Sequence, residues 1–128
     1  MVAGYVRFNG ICYKSFGDRV TWDEAKQTCA ADGGILAMPK DDATNTFLAN
    51  LEEVVGGRWL GLTHPNSDGQ WVFEDGQTLT PSDFSNWRAG TPDISAHGCA
   101  GFYGETRKWA PKTCTENKPF LCQLNQGK

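Results

Sequence analysis

Five cysteines, at positions 12, 29, 99, 114 and 122, are the residues of this chain with the most pointed chemistry. Thiols at that density in 128 residues indicate an oxidising, extracellular compartment, because cytosolic thiols are kept reduced. The odd count leaves one cysteine free, paired between chains, or without its partner. Imidazole is scarcer: His64 and His97 are the two histidines of the chain. Both lie within a polar stretch, residues 63–98, of a kind that a compact domain keeps only for use. No nucleophile, base and orienting group stand at a recognisable spacing, and nothing pairs the carboxylates for glycosidase work, so an enzyme is not expected.

The net charge is -3, which gives no support for nucleic-acid binding. The charge is uneven. Residues 1–86 carry 6 basic and 12 acidic side chains, whereas residues 87–128 carry 6 basic and 3 acidic. That asymmetry is either ordinary surface variation or a basic patch of Arg88, Arg107, Lys108 and Lys112 able to attract anionic glycans. No apolar run approaches the ~20 residues of a membrane span, and no apolar leader opens the chain. Met1 reads as an added initiator on an excised mature domain.

The elements that must position these groups follow from local chemistry. Residues 5–16 alternate apolar and polar around Asn9-Gly10, a hairpin turn. Thr21 and Glu24 form a capping box for a helix that puts Trp22, Ala25 and Cys29 on one face and stops at Gly33-Gly34. Residues 35–38 form a short strand. Asp41 or Asp42 caps a second helix with an apolar stripe of Phe47, Leu48, Leu51 and Val55, ended by Gly56-Gly57. Trp59-Leu60-Gly61-Leu62 is a buried strand. Turns then dominate, with strands expected at 70–73, 98–103, 108–109 and 119–124. The layout is α+β, one domain over residues 1–128, with two helices, short antiparallel strands and a long loop region.

Across nearly its whole length the chain resembles a C-type lectin-like domain. Gly10-Ile11-Cys12-Tyr13, the helix from Trp22 to Cys29, Trp59-Leu60-Gly61-Leu62, Gly69-Gln70-Trp71, Phe84-Ser85-Asn86-Trp87, the segment opening at Trp109 and Pro119-Phe120-Leu121-Cys122 resemble that family's landmarks in order and spacing. The resemblance implies a disulfide-stapled fold with bridges Cys29–Cys122 and Cys99–Cys114. It also makes Cys12 similar to one half of an extra N-terminal bridge, its partner lost or trimmed; an interchain bridge is the alternative.

The resemblance further implies where sugar-binding members hold calcium, and there the chain departs. A Glu-Pro-Asn or Gln-Pro-Asp triplet is replaced by Thr91-Pro92-Asp93, a glutamate by His97, and a Trp-Asn-Asp segment by Trp109-Ala110-Pro111. Calcium takes 6–8 oxygens, and these residues cannot supply them, so the usual Ca²⁺ sugar site is expected to be absent or badly weakened. His64 and His97 resemble replacements for ligands of an auxiliary calcium site; Asp68 resembles another ligand of that site, and Asp93 lies nearby in the loop. Imidazole favours Zn²⁺, so His64, His97, Asp68 and Asp93 are candidate zinc ligands; solvated turn residues are the competing reading.

The function implied is a secreted carbohydrate-recognition protein of the innate-immune type. Its partners would be microbial or cell-surface glycans, bacterial surface polysaccharides among them, with no nucleic acid and no membrane insertion. Candidate sugar contacts are Thr91, Asp93, Arg88, Lys108 and Trp109, with Phe102, Tyr103 or Trp109 able to stack on a sugar ring. The alternative is a calcium-independent protein-binding module on the same fold, and an oligomer through Cys12 remains open. An ice-binding or matrix role has no specific feature.

Overall fold

The computed structural model describes residues 3–51, 57–65, 69–89, 98–104 and 106–124. Strands β1 (Val6–Phe8) and β2 (Ile11–Val20) form the opening hairpin. Asn9 and Gly10 turn it with φ of 50° and 85°. Two positive-φ residues at the turn match the right-handed twist of the strands. Helix α1 (Trp22–Ala31) begins with the expected box: the Glu24 amide donates to Thr21 Oγ1, and the Thr21 amide donates to Glu24 Oε1. Its buried face is Ala25 and Cys29.

After β3 (Ile35–Leu36), Asp41 caps α2 (Asp42–Ala49) by accepting from the Thr44 amide at 2.7 Å. This helix is shorter than its apolar stripe suggests, and its buried face is Thr44, Asn45 and Leu48. Leu51 lies past the helix end, and Val55 lies outside the described residues. The helix end is capped by a side chain from the approach to the Trp59 strand. The guanidinium of Arg58, 5 % exposed, donates to the carbonyls of Ala49 and Leu51 at 3.0 and 2.7 Å, so the orphan acceptors of the last turn are satisfied by a side chain.

The remaining strands are β4 (Trp59–Thr63), β5 (Val72–Phe73), β6 (Cys99–Phe102), β7 (Trp109–Lys112) and β8 (Lys118–Leu124). All eight join one sheet in the order β1-β2-β8-β4-β6-β7, with β3 against β8 and β5 against β4. One pairing differs from the antiparallel expectation: β4 and β8 run parallel, with Trp59 opposite Phe120. Parallel neighbours need a long crossover, and the chain supplies one through β5, β6 and β7.

The core explains the Trp-Leu-Gly-Leu motif. Trp59, Leu60 and Leu62 are at most 1 % exposed. A Cβ on Gly61 would stand 2.6 Å from the Leu36 carbonyl oxygen, so only glycine lets β3 and β4 approach. Indole donors tie the layers together: Trp59 Nε1 donates to the Val20 carbonyl and Trp22 Nε1 to the Leu60 carbonyl. Cys29–Cys122 joins α1 to β8, and Cys99–Cys114 ties β6 to the segment after β7. These are the pairs the resemblance implies. Cys12 is the free thiol, 7 % exposed and packed in the same cluster as Tyr5 and Leu124. An interchain bridge would have to draw it out of that cluster.

Candidate functional site

The β6–β7 hairpin carries most of the inferred recognition residues that the structure describes. Its strands pair Cys99 with Lys112 and Phe102 with Trp109. The segment 86–88 runs beside β7: the Trp109 amide donates to the Asn86 carbonyl at 2.8 Å, and the Arg88 amide donates to the Trp109 carbonyl at 2.9 Å. The far turn is tied by its own atoms. The Tyr103 amide donates to the Lys108 carbonyl at 2.7 Å, while the Tyr103 carbonyl accepts from both the amide and the hydroxyl of Thr106.

Trp109 is a correction to the sequence reading. It is 0 % exposed and cannot stack on a sugar; Phe102, at 1 %, cannot either. Its Nε1 donates to Asn45 Oδ1 at 2.7 Å, and Asn45 Nδ2 donates to the Arg107 carbonyl at 3.1 Å. Asn86 Nδ2 reaches the same carbonyl. A buried asparagine on α2 thus holds the hairpin from beneath. The signal was present, since Asn45 sits three residues before Leu48 on the inward face, but a lone polar residue there names no partner.

An aromatic run continues from Trp109. Trp87 meets it edge-on at 5.5 Å, Trp71 packs on Trp87 at 4.9 Å, and His64 stacks on Trp71 at 5.1 Å with 17° between the rings. His64 is 4 % exposed, and its Nε2 accepts from the Gly69 amide at 2.6 Å. A metal at Nε2 would have to displace that bond. His64 thereby ties the loop at Gly69. The other candidate ligands, Asp68, Asp93 and His97, lie outside the described residues, as does Thr91.

Calcium meets a plainer obstacle. Ala110 and Pro111 lie on β7, at the sheet edge where proline is tolerated. Neither has a side-chain oxygen, and Ala110 is 2 % exposed. The donor set on this strand does not fit a hard cation.

Cations gather on the hairpin instead. The Arg88 guanidinium carbon stands 4.1 Å from the Tyr103 ring centroid, and Lys112 Nζ stands 5.4 Å from it. Lys108 is exposed and donates to Asn86 Oδ1 at 3.3 Å. Tyr103 is 39 % exposed, so it alone of the three suggested stacking aromatics reaches the surface. Of the expected basic patch, Arg88 and Lys112 meet at one ring, Lys108 is anchored to Asn86, and Arg107 contributes its carbonyl to the buried network.

Comparison with known proteins places this arrangement. The family model described as "Lectin C-type domain" matches residues 18–124. The chain is 33% identical to C-type lectin 1 of Hydrophis hardwickii, over 94% of this chain and 77% of the relative. The structure of a calcium-independent type II antifreeze protein superposes with a TM-score of 0.85, at 24% identity, covering 96% of this chain and 92% of that one. The cow CD23 carbohydrate-recognition domain, in the presence of a GlcNAc2Man3 oligosaccharide, superposes with a TM-score of 0.84 at 24% identity, over 96% and 94% of the two chains. At those identities the two structures speak for the fold alone. The helices, the mixed sheet, the two bridges and a family model spanning most of its length agree: the chain belongs to the C-type lectin domain family.

Proposed function

We infer that this domain is a secreted carbohydrate-recognition module that engages microbial or cell-surface glycans through direct polar and ionic contacts, without a calcium bridge. The observation that carries the reading is the Trp109-Ala110-Pro111 segment, where the oxygen ligands of a sugar-bridging calcium have no counterpart. Two disulfides support an extracellular location. That the fold accommodates both an oligosaccharide-associated domain and a calcium-independent antifreeze protein makes the combination reasonable for this chain. Zinc held at His64 Nε2 would have to displace the Gly69 bond, and zinc is therefore one arm of the test below.

A glycan array probed in calcium, in zinc and in chelator tests this. The expected result is one set of bound glycans under all three conditions. Binding lost in chelator and restored by calcium would overturn cation independence. Silence under every condition, together with a protein partner captured after glycosidase treatment, would place the chain among protein-binding modules.

A further inference from the structure

We propose that Asn9-Gly10 is a self-modifying site: the Asn9 side-chain amide cyclises onto the Gly10 nitrogen and reopens as aspartyl or isoaspartyl, and the isoaspartyl form loosens β1 from β2. The proposal is independent of what the domain recognises.

Asn9 is the one non-glycine residue with positive φ among the described residues, at 50°, and Gly10 follows at 85°. Both are exposed, and neither belongs to a strand. The attacking atom is the backbone nitrogen that follows the asparagine, so the residue carrying that nitrogen decides the access. Gly10 has no side chain to shield it, and even a Cβ built there would meet nothing within 4 Å. The other described asparagines are worse placed. Asn45 and Asn86 both donate their amides to the Arg107 carbonyl. The nitrogen after Asn50, that of Leu51, donates to the Leu48 carbonyl. Asn117 is exposed but precedes the long side chain of Lys118.

The step needs no reagent beyond water. Gly10 N bonds to Asn9 Cγ, the Cγ–Nδ2 bond breaks, and ammonia leaves with the proton of the Gly10 amide. Water then splits one of the two carbonyl–nitrogen bonds of the ring. Cleavage at Cγ leaves an aspartate in ordinary backbone. Cleavage at the α-carbonyl leaves the main chain running through Cβ and Cγ, one methylene longer. A two-residue turn fixes hairpin register, so the longer turn does not hold Val6 opposite Tyr13 and Phe8 opposite Ile11 as this one does. β1 is three residues at the sheet edge, paired with β2, and its main further hold is the stack of Phe8 on Phe47 at 4.4 Å. Arg7 lies opposite Cys12, and Tyr5 packs in the same cluster as that thiol. Loosening β1 therefore uncovers Cys12, the free cysteine.

The test ages the full chain in warm, mildly alkaline buffer and follows three readouts over time. They are the amide-to-acid mass gain of the peptide holding Asn9, its isoaspartyl fraction by methyltransferase labelling, and alkylation of Cys12 in the folded protein. Asn117, exposed but not followed by glycine, is the internal control. Conversion at Asn9 is expected to run at least several-fold ahead of conversion at Asn117, and Cys12 alkylation is expected to rise with the isoaspartyl fraction. Asn9→Gly keeps a residue that adopts positive φ and removes the side-chain amide, so its Cys12 should stay shielded over the same period. A non-reducing peptide map that recovers Cys29–Cys122 and Cys99–Cys114 in both proteins separates loosening of β1 from misfolding. Conversion at Asn9 no faster than at Asn117 would overturn the proposal. So would isoaspartyl formation with unchanged Cys12 alkylation, or an equal rise in alkylation in Asn9→Gly.

Discussion

The two disulfides pack against one apolar cluster, yet the strands they tie follow different logic. Around Cys29–Cys122, α1, β4 and β8 bury Ala25, Trp59, Leu60, Phe120 and Leu121 almost completely. Around Cys99–Cys114, the β6–β7 hairpin keeps its pairing and its buried Trp109, yet Ala110 and Pro111 stand where oxygen ligands belong. A packed interior constrains side-chain volume at each position, while a recognition face can exchange one chemistry for another on the same backbone. Here the scaffold motifs are present, while Ala110 and Pro111 bring no side-chain oxygen to β7.

Removing the bridges sharpens that contrast most. The residues of Cys29–Cys122 are 93 apart in sequence and those of Cys99–Cys114 are 15 apart. In the chain-entropy model, loss of the longer closure costs about 4–5 kcal/mol and the shorter about 3, a large share of a typical total of ~5–15. Urea melts of the two double alanine variants should fall in that order. The reverse order would mean that the hairpin, not the α1–β8 staple, carries the fold.

Next in size is the tie between α2 and the β6–β7 hairpin. Asn45→Leu leaves the Trp109 indole N–H buried without an acceptor, a cost of about 1–3 kcal/mol. The unfolding midpoint should drop and the near-ultraviolet tryptophan signal should change. An unaltered midpoint would show that the hairpin does not depend on α2.

His64 bears on the recognition side. His64→Ala removes the acceptor for the Gly69 amide, and a loss of roughly 1 kcal/mol is expected. Zinc calorimetry should be indistinguishable between this variant and the parent. A zinc isotherm present in the parent and absent in the variant would restore His64 as a ligand and contradict the structural role.

A further effect, confined to high pH, lies in the core. Burial, and then the nearby Asp41 charge, push the Tyr13 phenol up from 10.0 to about 12. A folded-state value above the unfolded one means that this contribution is complete below pH ~10 and is lost as pH rises towards about 12. Tyr13→Phe should therefore flatten the alkaline part of the stability–pH curve. A parallel curve would show that Tyr13 does not titrate with unfolding.

Much of this was readable before any coordinates. The Thr21–Glu24 box and the Asn9-Gly10 turn are local chemistry, and local chemistry survives folding. Ala110 and Pro111 were legible as missing ligands because the absence of an oxygen is a property of the residue itself. Pairings between distant segments were not. Nothing near Trp59 announces a parallel partner at Phe120, and nothing near Arg58 announces that it closes α2. Trp109 was misread for a related reason: proximity to a binding face does not say which side of the strand a ring takes, and Asn45 draws this one inward. The meeting of Arg88 and Lys112 on Tyr103 needed the register of β6 against β7, which charge counting cannot provide.

The most direct measurement is the affinity for one array-selected glycan, determined by calorimetry after exhaustive chelation and again with calcium restored. A recognition face whose calcium oxygens have been replaced should return the same dissociation constant in both. A tenfold or greater gain on adding calcium would contradict it and put a divalent cation back at the centre of binding.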